Sequence, residues 1–270
     1  MNPVRRLLAA LCLTACATAC PALTVAPPQR VVSLNLCTDL LLIEVAAPAQ
    51  IAGITALARD PALSPYAAEA ASLPLTPGQT EALLALQPDL ILAAPGAATT
   101  TVARLRELGL RVALIAPATT LDGIVAALRQ TGELLARPAT AAALVAGLSL
   151  PPAPPAGRAW LLQAGGHTPG EASLGHALLT QAGLRDLAVE TGQANGGFVA
   201  LERVLDTRAD VLVLGLAPTR ANSLAQQFLN HPALQQVPAR RVHVDEALWA
   251  CGSARFATAV TRLRAALAGR

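Results

Sequence analysis

The chain contains no lysine: all 20 of its basic side chains are arginine, set against 17 carboxylates and only 4 histidines. Aromatic residues are nearly as scarce, with two tryptophans, one tyrosine and three phenylalanines among 270 residues. The net charge is +3, and without Arg5 and Arg6 it is +1, from 18 basic and 17 acidic groups. A surface so close to neutral gives no electrostatic footing for nucleic acid or for an acidic membrane. The usual chemical constellations are missing too. There is no H-E-x-x-H, no pair of histidines four apart, no C-x-x-C, no G-x-S-x-G elbow, no Walker A loop and no calcium loop. These absences weigh against catalysis and against a structural zinc site. What is abundant is apolar: 53% hydrophobic residues and a mean hydropathy of +0.48 exclude disorder. The length is enough for two compact lobes, each with its own core.

The first nineteen residues read as an export leader rather than as part of the fold. Met1 to Arg6 form a positive start, and Leu7 to Ala15 an apolar stretch too short to span a bilayer. Two endings stand open. Leu13-Thr14-Ala15-Cys16 has the residue types of a bacterial lipoprotein box, with Cys16 as the lipidated residue. Ala17-Thr18-Ala19 is an A-x-A site for ordinary signal peptidase. Either places the protein in the periplasm, lipid-anchored or free. Three of the five cysteines lie in or beside the leader, leaving Cys37 and Cys251 in a compartment that permits a disulfide.

Beyond the leader, short buried-strand patterns alternate with helical ones. Arg30 to Leu34, Ile51 to Ile54, Asp89 to Ala93 and Arg111 to Ile115 predict strands. A helix capped by Thr38 or Asp39, one opened by Thr76-Pro77 and running to Leu86, and one over Thr100 to Leu108 lie between them. From Thr120 to Leu148 the pattern is helical only, interrupted near Pro138, and a proline run from Pro151 to Pro155 follows as a stiff spacer. Alternation resumes with strands over Arg158–Gln163, Asp210–Leu214 and Arg241–Val244, and ends in an amphipathic helix over Ala254–Leu267. The fold class expected is α/β: two Rossmann-like lobes, residues 28–119 and 158–270, joined by a helical segment and spacer over 120–157, with a ligand cleft between. One echo links the halves. Glu81 stands eight residues before Asp89 and its strand, and Glu202 stands eight before Asp210 and its strand.

Open parallel sheets bind ligands at the carboxyl ends of their strands. The loops there supply the candidate ligand contacts Asn35, Cys37, Arg59, Tyr66, Gly166, His167, Trp249 and Cys251, with Arg255 near the same cleft. Trp249 suits stacking on a planar ligand or packing between lobes, and Tyr66 ligand contact or loop anchoring. His167, beside two glycines, suits ligand contact or plain exposure, whereas His176 and His243 read as structural. Cys37 and Cys251 are open to three states: a disulfide, thiolates ligating a soft metal or metallo-cofactor, or inert thiols.

Several stretches resemble the periplasmic substrate-binding proteins of ABC importers for vitamin B12 and ferric siderophores, the class with a helical interlobe backbone. They are Arg30 to Asp39, Glu81 to Leu92 with its Gln87-Pro88-Asp89 turn, Leu108 to Val112, Leu201 to Leu205 with Ala209-Asp210-Val211, and Trp249-Ala250-Cys251-Gly252. The resemblance implies a rigid, monomeric two-lobed receptor that captures a metal-chelate nutrient and delivers it to an ABC permease in the inner membrane. It implies no catalytic residue, no cofactor and no resident metal. It also implies that Glu81 and Glu202, one atop each lobe, meet arginines of the permease. Loops poor in aromatics and arginines depart from the catecholate-siderophore pattern, leaving a corrinoid, a neutral hydroxamate chelate or haem. Two other readings are an exported enzyme on the same scaffold, and a zinc or manganese receptor, for which His167, Asp39 and Asp245 are the only assemblable ligand set.

Overall fold

The computed structural model describes residues 26–76, 78–216 and 224–269. The leader with Cys16 and the helix-opening Pro77 therefore lie outside the described residues. Four short parallel strands, β1 (Val31–Ser33), β2 (Ile51–Gly53), β3 (Leu90–Ala93) and β4 (Val112–Leu114), form a first sheet in the order β2-β1-β3-β4. Val31, Val32, Leu90, Ile91 and Leu92 are fully buried, because a parallel sheet is covered by helices on both faces and its central strands read as unbroken apolar runs. The accompanying helices are α1 (Leu36–Val45), α2 (Ala67–Ala70), α3 (Thr80–Ala85) and α4 (Thr99–Glu107). Helices α5 (Leu121–Leu134) and α6 (Pro138–Gly147) follow, separated where Ala136 turns left-handed (φ 55°) ahead of the proline.

The second half begins with β5 (Gly157–Leu162). After it come β6 (His167–Thr168), α7 (Leu174–Gln181), β7 (Leu184–Asp186), α8 (Leu187–Glu190), β8 (Gly197–Phe198) and α9 (Leu201–Asp206). Then follow β9 (Val211–Leu216), α10 (Leu224–Leu229), α11 (Pro232–Gln235), β10 (Arg240–Asp245) and α12 (Phe256–Ala268). Its main sheet has the order β10-β9-β5-β7, all parallel, and β6 pairs antiparallel with β8 as a separate ribbon. Listed from the β7 edge, the second sheet repeats the first strand for strand.

The repeat extends to side chains. In the first lobe Asp89 accepts from the backbone N–H of Arg30 at 3.0 Å and returns its own N–H to the Arg30 carbonyl. In the second, Asp210 does the same with Arg158, at 2.8 Å and 2.9 Å. Two residues before each aspartate the chain turns left-handed, at Gln87 (φ 46°) and Arg208 (φ 43°). Each aspartate thus ties the start of its own strand to that of the neighbouring central strand, which gives the eight-residue echo a structural basis.

Two local expectations are corrected. Asn35, not Thr38 or Asp39, caps α1, its Oδ1 accepting from the Thr38 N–H at 3.1 Å. The asparagine, with extended backbone, sits where it meets an otherwise unpaired donor of the first turn. The helix expected from Thr76 to Leu86 is confined to Thr80–Ala85, because Thr76 hydrogen-bonds the Ile54 carbonyl and extends the strand end instead.

The lobes meet through one continuous core. Leu41, Leu42, Ile124 and Leu128 of the first half pack in the same cluster as Leu174, Leu178, Phe256 and Val260 of the second. Gly252 (φ 66°) lies at this junction, where any Cβ would come within 2.7 Å of the Ala118 Cβ and 3.1 Å of Leu174. Only glycine accommodates both the backbone and the contact there.

Candidate functional site

The carboxyl ends of both parallel sheets lead into loops on the side where the lobes join. The loop after β10 crosses to the first lobe, and the structure shows Cys251 bonded to Cys37 at the start of α1, across a separation of 214 residues. Of the three states left open for these cysteines, the structure shows the disulfide, so neither sulfur is free to ligate a metal as a thiolate. Beside the disulfide, the Ala254 N–H donates to Glu44 Oε1 at 2.9 Å, and the Tyr66 hydroxyl donates to the same oxygen at 2.5 Å. The Arg255 guanidinium lies 4.8 Å from the Tyr66 ring centre. Burial pushes the Glu44 carboxyl above its usual range, opposed by Tyr66, Ser253, the Ala254 N–H and Arg255. Burial, then the Glu44 charge, pushes the Tyr66 phenol up as well.

Several expected ligand contacts therefore have other work. Tyr66 is 8% exposed and its hydroxyl is held by Glu44, so it anchors the seam rather than offering a stacking face. Trp249 is 5% exposed within the shared core. Its buried indole N–H has no acceptor among the described residues, and neither has the Asn35 Nδ2. Arg59 latches its own loop, with Nε donating to the Ala70 carbonyl at 3.1 Å and Nη2 to that of Leu73. Gly166 is buried, and a Cβ on it would lie 2.7 Å from the Phe228 ring. Its contribution is the turn (φ 79°) that carries the chain out to His167.

The set His167, Asp39 and Asp245 does not assemble. Asp39 is fully buried in the first lobe and accepts from the Thr55 N–H and hydroxyl, while Asp245 accepts from the Ala247 N–H. Among the described residues no three histidine, cysteine or acidic side chains converge to hold a bare ion. Burial outweighs the hydrogen bonds from Ser33 and Thr55 and raises the Asp39 carboxyl from 3.8 to about 6. Folding thus favours the protonated form. This contribution is complete below about pH 4 and is lost as pH rises through 6, a difference of about 3 kcal/mol for a shift of this size. Denaturant unfolding at pH 4 and pH 7 is expected to show the wild-type chain losing about that much relative to Asp39→Asn. Equal pH dependence in the two proteins would contradict this assignment.

His167 is where the expectation of ligand contact meets favourable geometry. Its Nδ1 lies 3.0 Å from Gln163 Oε1, and its ring meets the Phe198 ring edge-on with centres 5.6 Å apart. Phe198 projects from β8 with 75% of its surface exposed, unusual for a side chain of this size. Close by, Glu246 follows β10. Burial raises its carboxyl, and Asp245 adds to this, while a hydrogen bond from Gln163 and the proximity of His167 oppose it. Gln163, Phe198 and Glu246 were not legible as site residues in the sequence. The β6–β8 ribbon that places Phe198 beside His167 is only two residues long on each strand. At the seam between the lobes, a cavity of about 320 Å³ is lined by Ser64, Pro65, Leu248, Arg255 and Arg262 among others. A larger one, about 520 Å³, lies at the opposite end of the second sheet, under the proline run and between Arg240 and Arg264. It is remote from the strand ends where such sheets bind ligands.

Comparison with known proteins agrees with this architecture. Residues 31–150 match the family model described as periplasmic binding protein. No curated protein matches the chain in sequence. Among solved structures, the periplasmic heme-binding protein HutB of Vibrio cholerae aligns with a TM-score of 0.71 at 17% identity, over 88% of this chain and 98% of that one. The apo form of the periplasmic heme-binding protein RhuT from Roseiflexus sp. RS-1 gives 0.69 at 20%, over 88% and 97%. The periplasmic vitamin B12 binding protein BtuF of Vibrio cholerae gives 0.63 at 18%, over 90% and 97%. At these identities the likeness is one of fold. The family match thus covers residues 31–150 in sequence, and the chain as a whole shares the two-lobed fold of these periplasmic binding proteins. The family and these neighbours are binding proteins, and no helix among the described residues is long and apolar enough to cross a membrane.

Proposed function

We propose that this protein captures a metal-centred tetrapyrrole, haem or a corrinoid, between its lobes and delivers it unchanged to an ABC permease of the inner membrane. In this reading residues 28–119 and 158–270 are the two lobes and 120–157 their connection. The leader ends by residue 19, with Cys16 as the lipid attachment point if the lipoprotein box is used. The observation that carries the ligand class is His167, with Nδ1 engaged by Gln163 and an exposed phenyl ring beside it. A tetrapyrrole metal has an axial position for imidazole, and its flat apolar face suits a phenyl contact. The heme- and vitamin B12-binding neighbours support the same ligand class.

The test is a spectrophotometric titration of the purified protein with hemin and with aquocobalamin. One of the two is expected to bind with a shifted visible spectrum, and His167→Ala is expected to abolish that shift and weaken binding at least about tenfold. An unchanged spectrum and affinity in His167→Ala, or no binding of either compound, would remove this reading.

A further inference from the structure

We propose that Leu84 and Leu205 are contacts for the permease, an apolar pair set beside the carboxylates of Glu81 and Glu202. This rests on the delivery reading above and adds the chemistry of the receiving surface. The internal repeat carries it. With Asp89 set on Asp210, Glu81 falls on Glu202, Leu83 on Val204 and Leu84 on Leu205. Leu83 and Val204 are fully buried, each in a core cluster of its own lobe, so α3 and α9 lie on their sheets in the same rotation. The next residue of each helix is turned outward. Leu84 is 41% exposed and Leu205 is 37% exposed, and neither belongs to a core cluster among the described residues.

The exposed positions of the two stretches otherwise differ. Gln79 is matched by Ala200, Ala85 by Asp206 and Gln87 by Arg208, all of them exposed. The exposed residues that agree are the glutamate, the leucine and the aspartate. The aspartates clamp strand starts. The glutamate and leucine stand three apart on one helix, which makes them surface neighbours with Cβ atoms about 5–6 Å from each other. Each lobe therefore offers a carboxylate flanked by an isobutyl group. The other exposed leucines among the described residues, Leu57, Leu63, Leu75 and Leu108, all lie in the first half without a counterpart in the second.

Two matched patches, one to a lobe, suit a partner with two equivalent sites, as a closed homodimer has. Each site would pair a cation with an apolar hollow beside it. Opposite charge steers such surfaces together and sets their register, while the buried leucine excludes water from the ion pair.

Whole-cell uptake of hemin or aquocobalamin, whichever the purified protein binds, tests this with the cell's own permease in place. Leu84→Ala with Leu205→Ala removes both isobutyl groups and keeps a strong helix former at each position. Each single substitution is expected to lower uptake about threefold and the pair about tenfold. Ligand affinity is expected to stay within about twofold, and the thermal midpoint within about 2 °C. Leu84→Met with Leu205→Met keeps the apolar contact and is expected to retain uptake. Leu108→Ala, at an exposed leucine without a counterpart, is expected to transport as the wild type does. Wild-type uptake by the alanine pair, or an equal loss in Leu108→Ala, would overturn the proposal. A drop in ligand affinity or a large fall in the midpoint would overturn it too, by marking the leucines as structural. A strain lacking the whole protein separates the two levels. If that strain imports normally, the delivery reading fails and this one with it. If its uptake is lost while the alanine pair transports normally, only the leucine contacts fail.

Discussion

Replacing Cys37 and Cys251 together by serine is expected to lower the thermal unfolding midpoint by roughly 10–20 °C. The reason is the span of the crosslink: 214 residues separate the two cysteines. In the chain-entropy account, tying the unfolded chain over such a loop contributes on the order of 5 kcal/mol. A chain of this size shifts by about 2–4 °C for each kcal/mol. The crosslink also holds the second lobe against α1 of the first, next to the Ala254–Glu44 hydrogen bond. The serine variant should still fold, because the shared core of Leu42, Ile124, Leu174 and Phe256 remains. Differential scanning calorimetry of the two proteins checks this, and a shift below about 3 °C would show that the unfolded chain gains little freedom when the tie is cut.

Exchanging Glu81 and Glu202 together for alanine is expected to cut cellular uptake at least about tenfold while leaving affinity for the ligand within about twofold. Both side chains are exposed, each in the first turn of a six-residue helix that precedes a central strand of its own sheet. The Asp89 and Asp210 clamps make the two positions equivalent in the repeat, so the carboxylates form a matched pair, one to each lobe. A permease with two basic sites would bind such a pair through charge-assisted bonds that orient the receptor. The competing role, a carboxylate favoured by the helix dipole, accounts for only about 0.3–1 kcal/mol of stability each and for no loss of uptake. Comparing whole-cell uptake with equilibrium binding separates the two. Loss of ligand affinity, or uptake at the wild-type level, would remove the docking role.

The elements that came out as expected share a property: each is specified within about ten residues. β3 is a run of buried aliphatics, β1 opens on Val31 and Val32, both fully buried, and α4 stops at Gly109 (φ 79°). The misplacements occur where a distant partner competes. Thr76 has the composition of a helix cap, but the Ile54 carbonyl claims its N–H, and the helix begins at Thr80. Asp39 likewise has the composition of a cap but is drawn to Thr55 beyond β2.

The candidate site divides along the same line. Local pattern alone determined the two α/β halves, the helical link and the repeat built on Glu81-x₇-Asp89 and Glu202-x₇-Asp210. Pairing of Cys37 with Cys251, burial of Tyr66 and Trp249, and the gathering of Gln163, Phe198 and Glu246 around His167 were decided only by tertiary structure. Backbone periodicity and turn chemistry are set by near neighbours along the chain. Which side chains share a buried pocket depends on how two lobes, hundreds of residues apart at their extremes, pack against each other.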